Sequence, residues 1–506
     1  LDNPTVLSGG DGADVLKGGG GWNVLIGGDG DDTLVDGGGT NTIIGGSGSN
    51  TFIPGGGTNT FEAAAGTATD DADPPQLIVT GQAAGDEGSA IPLPIWAGLS
   101  DTDGSETLVL TIAGLPEHAT LSAGQRDAGG NWIIVASGTA LDLSQLTLTA
   151  GDNGTLELTV TATATETANG TTSSTAGTAQ VTVENVAPQN VAISGPATAV
   201  RGQTLYYDGS FTDPGSADTH TFAWQAIDPS GALIGSGSGV DFGLIPAVAG
   251  EYLLVYSVAD DDGGQTTTSR ALSVSSVAMQ GGDLVVGGTT GNDVITFGPG
   301  DNAGDIEVIV NGSSLGVYQP TGRLVAFGQD GNDVIEVSGS IGLPAWLYGD
   351  GGNDSLKGGG GDDVLFGGSG DDLLVGGSGR DLLVGGTGAD RIVGNADDDI
   401  LIAGFTAFDY TPAWLLQRDH DTAINAIMAE WTRTDLAHAD RIAHLINGGG
   451  LNGDWKLNGS TVGNDDERDI LTGSEGDDWF LFDSDNDRAT DLTDEAFADD
   501  LEFILS

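Results

Sequence analysis

Between residues 349 and 402 this chain of 506 residues repeats itself every nine residues, six times without a break: GDGGNDSLK, GGGGDDVLF, GGSGDDLLV, GGSGRDLLV, GGTGADRIV and GNADDDILI. Each unit carries Asp at its sixth position and a large apolar residue at its eighth. That period narrows the possible folds to few. The glycine-rich half turns the chain, because glycine tolerates positive φ, and the last three residues form a short strand. Each turn reverses direction, so two repeats close one coil, and successive coils stack at the strand spacing of about 4.8 Å. The expected structure is a parallel β-roll with Leu356, Leu365, Leu374, Leu383, Ile392 and Leu401 inside it. A flexible glycine linker would require neither the fixed spacing nor those apolar residues.

Stacking sorts the sixth-position acids into two columns: Asp354, Asp372 and Asp390 on one edge, Asp363, Asp381 and Asp399 on the other. Adjacent carboxylates at strand spacing repel by about 3 kcal/mol at an effective dielectric of ~20. A hard cation with an all-oxygen shell relieves this, and calcium suits a loose shell better than magnesium does. The formal net charge of −60, from 74 acidic and 14 basic residues, attracts cations and repels nucleic acid and anionic membranes. A solvated or salt-adapted surface explains part of that excess but not its fixed period. There is no Cys, hence no disulfide framework, and metal can serve as a staple in its place. No apolar run approaches the length of a membrane span. The chain opens on Leu1 without a signal peptide, so a fragment, a mature product or export through a C-terminal signal is expected.

Residues 9 to 62 keep the same period, with Asp14, Asn23, Asp32, Asn41, Asn50 and Asn59 at the sixth positions. One edge then holds Asp14, Asp32 and Asn50, and the other only amides. One calcium site is expected, between Asp14 and Asp32, together with an Asn-stacked edge that binds little or none. Thr40–Thr42 and Thr58–Thr60 form a small Thr/Asn ladder similar to those of ice-binding β-rolls, but with two full rungs only, ordinary strand-edge packing is the expected reading. Three single units, GTTGNDVIT, GQDGNDVIE and GSEGDDWFL, carry Asp293, Asp333 and Asp478. With no sequence neighbours to stack on, they read as turns with calcium as an option.

Both blocks resemble the RTX (repeats-in-toxin) family of secreted calcium-binding proteins. The resemblance implies calcium as the cofactor, export by a type I system, and folding outside the cell. The N-terminal block departs from the family pattern at most of its metal positions.

An acidic, proline-terminated linker over 63–75 leads into short alternating segments over 76–186, the pattern of a β-sandwich. LSDTDGSETLVLTIAGLPEHATLSAG in that stretch resembles cadherin-like repeats of bacterial adhesins. Asp101, Asp103 and Glu106, with Glu87, are its candidate calcium ligands; a polar turn accounts for these acids equally well. Residues 187–276, with YDGSFTDPGSADTHTFAWQAIDPSG and GEYLLVYSVADDDGG, resemble a PKD domain, a β-sandwich that serves as spacer or adhesion module. Trp224 reads there as a core aromatic, and Asp260, Asp261 and Asp262 as a hairpin turn of the kind where acids occur without metal. Residues 277–348 read as β-structure leading into the main roll over 349–404.

Strand positions seven and nine of the even repeats, Val364, Phe366, Leu382, Val384, Ile400 and Ile402, make an unbroken apolar face that something must cover. The cover is expected from residues 405–506. Thr411 and Pro412 form a helix start, and Ile424, Ile427, Met428 and Trp431 fall at i, i+3, i+4 and i+7. A second helix is expected from Asp435 to Ile446, ending at Asn447-Gly448. His420, His438 and His444 lie in this region without zinc-site spacing. The stretch from Glu430-Trp431 through DERDILTGSEGDDWFLF resembles a C-terminal module of RTX-like bacterial surface proteins. DSDNDRATDLTD, from Asp483, imitates an EF-hand loop but has Arg488 where Gly is required. Residues 499–506 read either as a type I secretion tail or as a closing strand.

The fold expected is therefore mainly β: two parallel β-rolls, over 1–62 and 349–404, flanking two Ig-like β-sandwiches, with a short C-terminal helical hairpin. No HExxH, GxSxG, catalytic Cys or phosphate loop is present, and no enzyme is expected within the chain. Three functions fit: a secreted or cell-surface calcium-binding adhesin or matrix protein with glycan or protein ligands; the export and folding region of a larger secreted enzyme; or an ice- or glycan-binding surface protein.

Overall fold

A computed structural model describes residues 5–53, 57–62, 72–101, 104–409 and 419–490. The helix start at Thr411 and Pro412, Asp103, and the tail over 499–506 lie outside the described residues. The chain divides into two compact units: 1–191 with 211–221 and 258–266, and the remainder.

In the first unit the nine-residue period folds as a roll of two parallel sheets. Thr5–Asp11, Asn23–Asp29, Gly39–Ser47 and Gly57–Glu62 pair in register, as in Asn23 with Asn41 and Asn41 with Asn59. Val15–Lys17, Thr33–Val35 and Ser49–Ile53 form the facing sheet. Eighth-position side chains Leu16, Leu25, Leu34, Ile43, Phe52 and Phe61 are all buried between the sheets. That second sheet does not end with the repeats. Gln76–Thr80 adds to Ser49–Ile53 in parallel, and Ile95–Gly98 and Ala140–Leu143 follow antiparallel. Ile78 and Trp96 thereby close the open end of the roll core. The rest of the sandwich is a six-stranded and a three-stranded sheet around a core that includes Leu108, Leu110, Ile112, Val160 and Val181. Its longest strands, Gly154–Glu166 and Thr172–Glu184, alternate buried with exposed positions, as a half-buried strand must.

Residues 189–275 add a three-stranded and a five-stranded sheet. Within them Trp224 is buried, stacked on Phe242 with ring centroids 5.4 Å apart and on Tyr256 at 4.4 Å, a core aromatic as its strand position implies.

The roll of the second unit is longer than its unbroken repeats. One sheet of eight strands runs from Val277–Gln280 through Val364–Ser369 and Leu382–Thr387 to Trp479–Leu481. The facing sheet of nine runs from Ser313–Tyr318 through Leu373–Ser378 to Arg488–Ala489. The lead-in strands are thus rungs of the roll. Extra residues are taken up in two ways: a hairpin of Ile306–Val310 with Ser313–Tyr318 extends the end of the nine-stranded sheet antiparallel to Val294–Pro299, and a helical excursion leaves the stack between Ile400–Ile402 and Ile470–Glu475. After it, Arg391 pairs with Ile470 and Ile400 with Trp479, both parallel.

That excursion is the cover. Helix α1, His420–Trp431, and helix α2, His438–Asn447, share one core with Val364, Phe366, Leu382, Val384, Ile400 and Ile402. Ile424, Ile427 and Trp431 are fully buried in it. Helix α2 starts three residues after Asp435, whose carboxylate pairs with Arg433 at 2.7 Å, and ends at Gly448 with φ 83°, a left-handed stop that glycine favours. Among the described residues no helix is long and apolar enough to cross a membrane.

Candidate metal centre

The strand pairing sets the sixth-position acids directly above one another. On one edge the backbone N–H of each Asp donates to Oδ1 of the Asp one rung on: Asp293 to Asp333, then Asp354, Asp372, Asp390, Asp469 and Asp487, at 2.6 to 3.0 Å. On the other edge Ala345 donates to Asp363, which donates to Asp381, then Asp399, then Asp478, at 2.6 to 2.8 Å. Asp293, Asp333 and Asp478 are therefore not isolated turns. They continue the two columns, and the expectation of single units without stacked neighbours is corrected. The acid-rich stretch from Asp483 is likewise corrected. It is the next turn of the roll, with Asp487 in the column, and not an EF-hand-like loop.

Each column Asp after Asp293 spends one oxygen on the ladder. The other, Oδ2, is buried and has no hydrogen-bond partner in Asp333, Asp354, Asp372, Asp381, Asp390, Asp399 and Asp469. These oxygens face main-chain carbonyls. The point where a side chain would begin on Gly367 lies 2.4 Å from Asp372 Oδ2 and 2.3 Å from the Gly385 carbonyl. The equivalent point on Gly385 lies 2.4 Å from Asp390 Oδ2 and 2.4 Å from the Ala403 carbonyl. Gly349 repeats this at 2.4 and 2.4 Å with Asp354 and Gly367, and Gly358 at 2.3 and 2.3 Å with Asp363 and Gly376. A side chain at these glycines would run into both oxygens, so the space beside each carboxylate is kept for small groups, and a buried carboxylate oxygen without a hydrogen-bond partner is the kind of donor a hard cation takes. The donor set fits calcium.

Burial pushes the column acids up: Asp354 to about 6, Asp333, Asp363 and Asp469 to about 7, Asp372 to about 8 and Asp390 to about 9. Desolvation is the largest cause throughout. In Asp333, Asp372 and Asp390 the column neighbours add to it. Asp381 and Asp399 rise as well, from burial and then from neighbouring carboxylates. Asp293 differs, since Asn311 and Thr289 satisfy its oxygens.

The N-terminal roll has a shorter version. Asp14 donates its N–H to Asp32 Oδ1 at 2.9 Å, and Asp32 to Asn50 Oδ1 at 2.8 Å. Asp14 Oδ2 and Asp32 Oδ2 are unpartnered, beside the Gly27 and Gly45 carbonyls. On the opposite edge the amides bond one another, Asn23 Nδ2 donating to Asn41 Oδ1 at 2.6 Å and Asn41 Nδ2 to Asn59 Oδ1 at 2.9 Å; Asn41 Nδ2 also donates to Asp36 Oδ1 at 2.6 Å, while Asp36 Oδ2 is buried without a partner.

In the sandwich Asp101 and Glu106 are buried. Glu106 pairs across strands with Glu166, and Oε2 of each is unpartnered. Glu106 accepts the Asp73 N–H at 2.9 Å. Burial raises its pKa first, then Asp101, Asp73 and Glu166. Glu87 does not join them, because its charged neighbours are Asp213, Asp260 and Asp262; that expectation is corrected. The three histidines go to separate structural contacts. His420 meets the Tyr348 hydroxyl at 3.0 Å, His438 packs on Trp431 and His444 meets Glu430 at 2.6 Å.

Sequence reasoning missed Asp469, Asp487 and Glu166. Asp469, Asp478 and Asp487 keep the nine-residue interval, and that spacing was the available signal. Glu166 had none, since a cross-strand partner sixty residues away has no local pattern.

The family model for the RTX calcium-binding nonapeptide repeat (4 copies) matches residues 5–34, 26–61, 346–374, 375–405 and 465–489. The chain carries RTX calcium-binding repeats. No curated protein matches it. Among solved structures, a tetra-tandem repeat from the extending region of a large adhesion protein is similar at 15% identity and TM-score 0.22, covering 45% of this chain and 55% of that one. Drosophila N-cadherin EC1-3 is similar at 14% identity and TM-score 0.15, covering 43% and 72%, and EC1-4 at 14% and 0.16, covering 51% and 63%. Scores this low carry no argument about fold or ligand.

Proposed function

We propose that this chain is a calcium-folded, non-catalytic modular protein of the cell exterior, an adhesin or matrix component exported by a type I system. One observation carries the reading: seven buried Asp oxygens without partners stand in two columns, six of them beside a main-chain carbonyl at a glycine where no side chain fits. Asp333, Asp354, Asp372, Asp390 and Asp469 would hold calcium on one edge, and Asp363, Asp381, Asp399 and Asp478 on the other. Asp14 and Asp32 would hold it in the N-terminal roll, and Asp101 and Glu106 with Glu166 in the sandwich. Calcium supplies the positive charge and oxygen-bridging shell that the column lacks. Asp293, whose oxygens accept from Asn311 and Thr289, and Asp363, whose oxygens accept the Ala345 and Gly359 N–H groups, are the weakest candidates. The sandwiches, read as cadherin-like and PKD-like, act as spacers, and glycans or proteins are the partner class.

A calcium titration of the full chain, followed by far-UV circular dichroism, tests this. Excess chelator is expected to cost a large share of the β signal. Calcium should restore it at roughly 0.1–1 mM, the range of extracellular modules, and magnesium should not. A spectrum unchanged by chelator, with no metal bound, would remove the proposal.

A further inference from the structure

A second group of acids lies outside every nonapeptide repeat. Glu87, in the loop after Gln82–Asp86, is 1% exposed. Its Oε1 accepts the Val186 N–H at 2.7 Å, while Oε2 is buried without a partner. A Glu87 carboxylate oxygen lies within 4.8 Å of one from Asp152 and one from Asp218. Asp218 also belongs to a second group of the same tightness with Asp213 and Asp260, and to a third, of otherwise exposed acids, with Asp261 and Asp262. Both Asp218 oxygens are buried and unpartnered. Burial raises its pKa to about 6, with Glu87, Asp213, Asp260 and Asp261 contributing after it. All of these residues belong to the first unit.

Basic side chains do not explain the cluster. Among the described residues the ion pairs of Lys and Arg are made elsewhere, and only His220 meets one of these acids, Asp213, at 3.0 Å. Neutral contacts hold the surroundings. Gly88 N–H donates to Ala150 O and Ala217 N–H to Gly151 O, each at 2.8 Å. Asn185 Nδ2 donates to Asp260 at 3.3 Å, leaving Asn185 Oδ1 as an unpartnered neutral oxygen. Oxygens that share one calcium ion stand no more than about 5 Å apart. The groups meet that limit separately, and the two that contain a buried acid, Glu87 in one and Asp260 in the other, share Asp218.

We propose that Glu87, Asp152, Asp213, Asp218 and Asp260 bind two calcium ions, with Asp218 bridging them. Binding ties segments 211–221 and 258–266 to the end of the sandwich that carries Glu87 and Asp152. The site shares no ligand with the rolls, so it stands or falls separately from the folding role given to them.

Hydrogen exchange of the full chain, read by mass spectrometry with and without calcium, tests the site together with a count of bound metal. Calcium should slow exchange over 213–220 and 260–264. Asp218→Asn should abolish that slowing and lower the count by two, leaving the calcium response of 349–402 as in the parent. If Asp218→Asn folds poorly, Glu87→Gln carries the same comparison with a loss of one. Unchanged exchange in these loops, while 349–402 responds, would overturn the site. An undiminished metal count in both variants would do the same. Equal protection by magnesium would overturn the assignment to calcium.

Discussion

At the residue scale, a column Asp is useful because its two oxygens do different work. Oδ1 fixes the neighbouring rung through a backbone N–H, and Oδ2 is left over inside the protein. The first glycine of each repeat is the other half of that arrangement. Gly385 keeps open the gap between Asp390 Oδ2 and the Ala403 carbonyl, and its φ is not in the left-handed region, so a side chain is excluded by space and not by backbone conformation. Gly385→Ala is therefore expected to raise the calcium midpoint for ordering the C-terminal roll about tenfold, ~1.4 kcal/mol. Gly339→Ala, at a position open to solvent, should leave it unchanged. A dichroism titration that gives both variants the same midpoint would separate the glycine from the metal site. The fixed period makes the acids of the unbroken repeats legible in the sequence. At Asp469 the interval of nine to Asp478 holds, but the glycine pattern is lost, since its turn, NDDER, has no glycine. There Asp466 adopts φ 67°, a left-handed conformation that Asp tolerates.

Among the elements, the helical hairpin is the clearest case of a partner deduced from the surface it covers. The even repeats display an apolar face, the helix period displays another, and the two meet in one core. The clamp that fixes their registry was not legible. Trp431 Nε1–H donates to the Asp398 carbonyl at 2.9 Å, and Arg380 and Arg441 both pair with the Asp398 carboxylate. Its one trace in the sequence is Arg380, basic at a fifth position where the other repeats carry an acid, an amide or alanine. Arg441 also lies over the Trp431 ring, 4.6 Å from its centre. Removing that ring takes away packing on both helix and roll. Trp431→Ala is expected to cost about 3–5 kcal/mol, seen as a lower urea midpoint in saturating calcium with new binding of a hydrophobic dye. An unchanged midpoint would mean the hairpin lies on the roll without stabilising it.

At the scale of the whole molecule, one repeat is used in two electrostatic versions. The stack of the second unit extends well past its unbroken repeats because insertions leave it and return in register. Successive column partners stand 40, 21 and 79 residues apart as well as 18, and a search for one fixed interval sees only the middle. The N-terminal roll is shorter but less charged. The amides of its Asn edge bond one another, and Ile78 and Trp96 seal the end of its core. Among the described residues only Asp14 and Asp32 leave unpartnered sixth-position oxygens there. Removing calcium should therefore act unevenly. In excess chelator at neutral pH, amide protection over 23–53 is expected to persist, while protection over 349–402 collapses to that of an unfolded chain. The contrast follows from neutral amides, which do not repel, set against carboxylates that must either keep a proton or find a cation. Equal loss in both rolls would show that the Asn ladder does not replace the metal, and equal persistence would show that the acid columns do not need one.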